Sequence, residues 1–377
     1  MNIGLDAHAA FDGDLLRNYS RYVINNLSHI HYEHQYRLYT PDISAEHHMD
    51  SITERENVAV VLPLKSIDRT FSDRWRKRTL IRDLVRDRVE LYHGLCGELP
   101  PELGSKGIRS VVTIPNLHIF YQPGFYSAFE RSRFMRKLSQ TCEAADHIVT
   151  LSNYTKQYIV TNVGIALDKV SVVYQGCDSV FMNIAADEDR ERVRQIYSLP
   201  ETFVLSAGEI DADSNLSTAL SALFHLDSSV QLVVIGRETP YAGRLKEFAA
   251  ANGLASRLHL RHVIAHEDLP AVYQAAVAFI YLSACEGMGL PIIEAMFAGL
   301  PVVTAGGASL MEAGGEAVVY VSYTDDHAIS QAVSDIMNFK VRERSKVVMA
   351  GKRQALRFGD NRLAWELMSV YEKVMNQ

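Results

Sequence analysis

The stretch Val277-Ala278-Phe279-Ile280-Tyr281-Leu282, followed two residues later by Cys285-Glu286-Gly287-Met288-Gly289-Leu290-Pro291-Ile292-Ile293-Glu294-Ala295-Met296, says most about the architecture of this chain. The apolar, β-branched run reads as a buried strand that stops at a small-residue loop carrying Glu286. Gly287 and Gly289 let the backbone approach a ligand with no Cβ in the way. Pro291 suits an early helical position, where its missing N–H costs nothing. The free N–H groups and positive end of that helix would face whatever lies over the loop, which favours an anion such as a phosphate. Glu294 falls in the first turns of the same helix and can face the same ligand as Glu286. Two carboxylates cannot hold phosphate; they suit the hydroxyl groups of a ribose or a sugar. The expected ligand is a sugar nucleotide. A strand, a glycine-rich turn and a helix are also common furniture of α/β proteins, and a glutamate in a first turn also serves as a plain dipole partner.

Outward from this stretch, strands alternate with helical segments along the whole chain, the pattern of parallel α/β sheets. Strands are expected at Asn2–Asp6, Arg37–Thr40, Val58–Leu62, Leu91–Gly94, Arg109–Ile114, His147–Leu151, Val170–Tyr174, Phe203–Ala207, Val230–Gly236, Leu258–Val263, Val302–Thr304 and Ala317–Val321. Helices are expected at Leu15–Leu27 and Phe125–Ala145, with Ser152 capping another. The 377 residues suffice for two cores. The polar, acidic segment Asn183–Glu191 is a plausible crossing between domains, giving an expected division into 1–180 and 181–359.

Composition limits the function classes. Hydrophobic residues make up 47% and charged residues 22%, an ordinary globular mix. The four cysteines are scattered without metal-type spacing, which fits a reducing compartment. Met1-Asn2-Ile3-Gly4 opens directly into a strand, and no apolar run approaches the ~20 residues needed to span a bilayer. A cytoplasmic protein is expected, with any membrane contact peripheral at the inner face. Net charge is −7. Residues 1–180 hold 21 basic against 21 acidic residues, so the remainder, 17 against 24, carries the whole deficit. Nucleic-acid binding is disfavoured by this balance.

The segment EGMGLPIIEAMFAGLPVV, in which Glu286 and Glu294 are separated by seven residues, resembles the signature of retaining glycosyltransferases of family 4, which have the GT-B fold. The resemblance extends over nearly the whole chain. It implies two doubly wound Rossmann-like domains facing across a cleft, with the final helix (360–377) crossing back to the first. It implies Glu286 as the catalytic residue, contacting donor-sugar hydroxyls, and Glu294 on the donor ribose. Backbone at Gly287, Met288, Gly289 and Leu290 would hold donor oxygens, Val263 would lie against the nucleobase, and Ser214 and Asn215 would line the donor phosphates. On the acceptor side it points to Gly13, Asn18, Asn116, His118 and His93. A lone histidine such as His93 is more often structural than catalytic. No metal is implied, and the only small-molecule requirement is a UDP- or GDP-sugar donor.

The chain departs from the family pattern in three places. Leu15, Leu16 and Arg17 stand where glycines are expected ahead of Asn18-Tyr19-Ser20-Arg21. Pro115 and Asn116 replace a His-Asp pair that approaches the donor sugar, leaving His118 three residues on. Glu209-Ile210-Asp211-Ala212-Asp213-Ser214 occupies the segment where an arginine (at 209) and a lysine (at 214) neutralise the diphosphate. Carboxylates there oppose the charge that develops on the leaving group. Arg237 and Arg244 are the nearest replacement cations, though neither has the usual spacing.

Arg74, Arg78, Arg82 and Arg86 recur every four residues and predict a basic stripe along a helix. It reads either as a solvated face partly neutralised by Asp73, Asp83 and Asp87, or as a contact with anionic lipid headgroups near a lipid-linked acceptor. The expected function is retaining transfer of a hexose from a nucleotide-diphosphate sugar to a glycan or lipid-linked acceptor in surface-polysaccharide assembly. The alternative is a catalytically impaired relative that binds a nucleotide sugar, a glycan or a partner transferase. An epimerase or phosphorylase on the same fold is a third reading.

Overall fold

The computed structural model describes all residues except 12–15, 44–49, 66–70, 122–125, 284–286 and 360, and gives the backbone alone at Asp50, Ser51, His118 and Tyr121. The chain separates into two compact units, Met1–Gly176 with Asn361–Gln377, and Cys177–Asp360. The acidic segment read as a crossing lies inside the second unit and runs into the helix Asp187–Ile196.

The first unit is a seven-stranded parallel sheet of β1 (Asn2–Asp6), β2 (Gln35–Tyr39), β3 (Val58–Val61), β4 (Leu91–Gly94), β5 (Arg109–Ile114), β6 (His147–Thr150) and β7 (Val170–Val172), in the order β3-β2-β1-β4-β5-β6-β7. The interior strands are apolar on both faces because helices cover both, as all-parallel sheets require. Val112 and Ile148 meet Leu138 and Ile159 in one cluster, and Tyr92 meets Trp75 and Leu84 in another. The helix expected from Leu15 begins at Arg17 and runs to Ile30; the one expected from Phe125 spans Ala128–Ala144. Ser127 and Glu130 close a capping box at its start, which fixes where it begins. Ser152 caps the next helix by accepting the Thr155 N–H. The final helix, Arg362–Met375, packs onto the first unit against the helix Arg17–Ile30 and β5.

The arginine stripe is not continuous. Between the turn Ser72–Arg74 and the helix Leu80–Arg86 lies a π-helical stretch, Trp75–Thr79, whose wider turn rotates the later residues out of register with the earlier ones. Trp75 is buried and donates its indole N–H to Asp83. Arg86 is engaged by Asp83 and Asp87, while Arg74, Arg78 and Arg82 remain exposed. No helix among the described residues is long and apolar enough to cross a membrane.

The second unit is a six-stranded parallel sheet of β8 (Phe203–Ala207), β9 (Gln231–Ile235), β10 (Leu258–Arg261), β11 (Ala278–Tyr281), β12 (Val302–Ala305) and β13 (Val319–Val321), in the order β10-β9-β8-β11-β12-β13. Val204, Leu232, Ile280 and Val303 on the strands pack with Leu220, Ile329 and Val333 from the covering helices. Strand order reverses at the β8/β11 boundary, so the loops leaving these two strands diverge and open a crevice at the carboxyl edge. That is where ligands bind in doubly wound sheets. β11 and the helix Leu290–Phe297 that follows it form one side of this crevice.

Candidate active site

β11 ends at Tyr281, and the helix that follows runs Leu290–Phe297 with Pro291 in its first turn. Gly289 precedes it in a left-handed conformation (φ 75°), and a Cβ there would come within 2.9 Å of Leu310 Cδ2. Glycine is therefore required by both backbone and neighbour. Met288 is buried; Gly287 and Leu290 are half-buried. Glu286 lies outside the described residues.

Glu294 is half-buried on this helix, and the Tyr273 hydroxyl donates to its Oε2 at 2.9 Å. Burial pushes its carboxyl up to about 7; the Tyr273 hydrogen bond and His266 oppose that rise, and the charge of Asp178 adds to it. Tyr273 is itself held edge-on by Phe181 at 5.2 Å and stacked on Phe279 at 5.5 Å, which fixes the hydroxyl. His266 Nε2 lies 2.9 Å from Asp178 Oδ2. Sequence spacing does not reveal these partners, because Tyr273 belongs to a different helix, Leu269–Ala275. Among the described residues no arginine or lysine is paired with Glu294, so its acceptor capacity is not consumed by a cation.

The loop leaving β8 borders the same crevice. Gly208 (φ 138°) is followed by Glu209, Ile210, Asp211, Ala212, Asp213, Ser214 and Asn215. Asp211 Oδ1 accepts the N–H groups of Asp213 and Ser214 at 3.0 and 2.9 Å. The Ser214 hydroxyl donates to the Asp211 carbonyl at 2.6 Å. The loop thus folds around its own carboxylate, and the Ser214 hydroxyl and N–H both serve that turn. Burial raises the Asp211 carboxyl; the Ser214 N–H opposes, and Asp213 and Glu209 add their repulsion. Asn215 is left-handed (φ 49°) and donates to Asp213 O and Leu282 O, both at 2.9 Å. It ties the β8 loop to the end of β11. Arg237 reaches Glu209, whereas Arg244 lies over the Tyr241 ring at 5.0 Å. Val263 is exposed beyond the end of β10.

In the first unit, the carboxyl ends of β1 and β4 carry a charged cluster that no sequence motif marks. Asp6 is buried, receives His8 Nδ1 at 2.8 Å and is approached by Arg76 at 3.3 Å; Arg76 also meets Glu98 at 3.3 Å. Burial raises the Asp6 carboxyl, but the His8 hydrogen bond and Arg76 outweigh it and hold it below the usual range. The Cys96 sulfur lies within 4.8 Å of side-chain ligand atoms of Asp6 and His8, and a second mixed cluster of the same spread joins His225, Asp326 and His327. Asp6 ends β1 and His8 opens the helix after it, while Asp326 and His327 start the helix Asp326–Met337 and His225 ends a 3-10 turn, so each cluster is completed by one residue distant in sequence.

His93 requires a correction. It is fully buried on β4, with Nδ1 2.6 Å from the Tyr371 hydroxyl and Nε2 2.8 Å from Thr113 Oγ1. Burial lowers its pKa to about 3, so it is a neutral core residue and not an acceptor-facing one. Asn18 is exposed in the first turn of its helix, and Pro115 and Asn116 are half-buried after β5. Gly13 and the side chain of His118 lie outside the described residues.

Residues 188–354 match the family described as glycosyl transferases group 1, and residues 20–180 match glycosyltransferase family 4. The O-antigen chain mannosyltransferase B of Escherichia coli is 29% identical over 248 residues, 64% of this chain and 63% of that protein. The O-antigen chain mannosyltransferase RfbU of Salmonella typhimurium is 23% identical over 228 residues, 60% of this chain and 61% of that protein. The matched segments thus span less than two thirds of these relatives' own length. Among solved structures, a glycosyltransferase from Rickettsia africae superposes with a TM-score of 0.79 at 16% identity, covering 99% of this chain and 98% of that one. Anabaena HepE in complex with UDP and glucose gives 0.77 at 14%, covering 99% and 100%. The two parallel sheets, the reversal of strand order beside Glu294 and the two adjoining family matches together place this chain in glycosyltransferase family 4, with the GT-B fold.

Proposed function

We propose that this protein is a retaining hexosyltransferase that takes its sugar from a UDP- or GDP-linked donor and passes it to a glycan or lipid-linked acceptor in surface-polysaccharide assembly. The observation that carries the reading is Glu294: a half-buried carboxyl beside a helix N-terminus, fixed by one neutral hydroxyl and open to others. It suits a ribose diol, with the diphosphate over the backbone N–H groups at Gly287–Leu290. Glu286 is assigned to the donor sugar. Mannose is the first sugar to test, because the curated relatives are named as mannosyltransferases. In the reaction the bond from C1 to the diphosphate oxygen breaks, with its electron pair going to that oxygen. C1 bonds to an acceptor hydroxyl oxygen on the same face, and the hydroxyl proton leaves to the departing diphosphate. Arg74, Arg78 and Arg82 are exposed cations suited to anionic lipid near such an acceptor; Arg86 of the expected set is neutralised locally.

The test is incubation of purified protein with a panel of UDP- and GDP-sugars, reading released nucleotide. Turnover of at least one donor, and loss of donor binding in Glu294→Ala, are expected. Donors left intact across the panel, together with no nucleotide binding, would remove this reading.

A further inference from the structure

The acidic β8 loop leaves a donor diphosphate without the cations expected at positions 209 and 214, and the structure offers a specific substitute. Gly208 and Gly236 follow β8 and β9, which are adjacent and in register at Ala207 and Ile235. The two glycines lie so close that a Cβ on Gly236 would sit 2.2 Å from the Gly208 carbonyl. The residues after them, Glu209 and Arg237, are thereby set side by side, and Arg237 Nη2 donates to Glu209 Oε1 at 2.8 Å. Thr239 fastens the loops a second time through its hydroxyl to the Ile210 carbonyl, and its own helix, Pro240–Ala251, starts there. A guanidinium from the β9 loop is thus delivered to the place on the β8 loop where the sequence pattern calls for an arginine.

We infer that Arg237 is the diphosphate-binding cation of this site, and that Glu209 is a latch that holds it until a nucleoside diphosphate or its sugar conjugate displaces the carboxylate. This inference rests on the nucleotide-sugar reading of the site. The side chains of the pair are 52% and 42% exposed, so the contact is screened and readily exchanged. A phosphate group offers the guanidinium two parallel hydrogen bonds and more charge than one carboxylate does. The advantage grows as C1 separates from the diphosphate, because the leaving group gains a negative charge in that step. Glu209 thereby pairs with this cation beside Asp211 and Asp213.

The experiment is calorimetric titration of the full chain with UDP, GDP and the corresponding nucleosides, in wild type, Arg237→Ala and Glu209→Gln. Arg237→Ala should weaken nucleoside diphosphate binding about tenfold or more and leave the nucleoside unaffected, as expected for loss of one charge-assisted contact. Glu209→Gln should tighten diphosphate binding several-fold, a gain that misfolding cannot produce. Diphosphate binding indifferent to Arg237→Ala, or weakened by Glu209→Gln, would overturn the inference while leaving the donor reading intact. So would binding that demands Mg²⁺ and ignores Arg237. If neither wild type nor Glu209→Gln binds any nucleotide, the donor reading falls, and this inference falls with it.

Discussion

Glu294 pairs a functional requirement with a cost that can be measured. Its carboxyl is lifted by burial to about 7 against an ordinary value of 4.5, with Tyr273 and His266 pulling down and Asp178 pushing up. Near neutrality it is therefore only partly ionised, yet the carboxylate is the form that accepts hydrogen bonds from sugar hydroxyls. Affinity for a UDP- or GDP-sugar should accordingly rise between pH 6 and 8 and flatten above. The intact donor is the right probe, because its esterified diphosphate does not titrate in this range as a free terminal phosphate does. Glu294→Gln should abolish the rise; a wild-type profile that is flat over the same interval would contradict the assignment. Stability runs the other way. The folded pKa is raised, so the native state binds more protons than the unfolded chain between about 4.5 and 7. The associated stabilisation is full at low pH and lost as pH rises through about 7. Denaturant melts of Glu294→Gln against wild type should diverge with pH in the variant's favour, by about 3 kcal/mol at pH 8. Removing only the opposing hydrogen bond, in Tyr273→Phe, should shift the midpoint of donor binding to higher pH.

At the level of elements, the helix Leu290–Phe297 depends on its preceding residue. Gly289→Ala forces a left-handed alanine and drives a Cβ toward Leu310, at about 1–2 kcal/mol for the conformation alone. A fall in melting temperature of roughly 3–6 °C is expected, with weaker donor binding because the N–H groups at the helix start are re-aimed. Shortening the neighbour as well, in Gly289→Ala/Leu310→Ala, should not recover donor binding, since the φ strain persists. This element was legible in sequence: Val277–Leu282 locates the strand to within a residue at each end, and Pro291 marks the start of the helix, because apolar run and turn chemistry agree. Elements whose boundaries depend on a tertiary partner were less so. The π-helical turn Trp75–Thr79 leaves no periodic trace, since one inserted residue changes register without changing composition; it turns Arg76 inward to Asp6 and Glu98. Nor could spacing pair Tyr273 with Glu294, or Arg237 with Glu209, because strand order and loop closure bring them together. The same turn alters what the arginines do. Sedimentation with anionic vesicles should depend on Arg74, Arg78 and Arg82 and vanish at high salt, whereas Arg86→Ala, already neutralised by Asp83 and Asp87, should have little effect. Equal losses from all four substitutions would restore the continuous stripe.

On the scale of the whole chain, the first unit is closed by residues from the far end of the sequence. The helix Arg362–Met375 buries seven side chains, among them Leu363, Leu367, Met368, Tyr371 and Val374. Tyr371 completes a buried chain of hydrogen bonds through His93 and Thr113 to Tyr19. Burial holds His93 near 3 and leaves it uncharged, and a neutral imidazole suits this chain by donating from one ring nitrogen and accepting at the other. Each large apolar side chain buried here contributes about 1.5–3 kcal/mol, and their sum is comparable to the 5–15 kcal/mol of net stability typical of a domain. Ending the chain at residue 360 should therefore unfold the first unit. Limited proteolysis read by mass spectrometry should then find cuts throughout 1–176 while 177–360, which has its own core, resists. Tyr371→Phe keeps the ring but leaves one nitrogen of His93 unpaired, so a smaller loss of about 1–3 kcal/mol is expected, confined to the same unit. The pH dependence follows from the depressed histidine. Between about 3 and 6.5 the unfolded chain binds a proton that the folded one does not, so stability falls as pH drops through that window. His93→Gln should flatten that acid limb if its amide can bridge Tyr371 and Thr113. A truncated chain equally resistant in both units would show instead that the first sheet is self-sufficient, and that the terminal helix only decorates it.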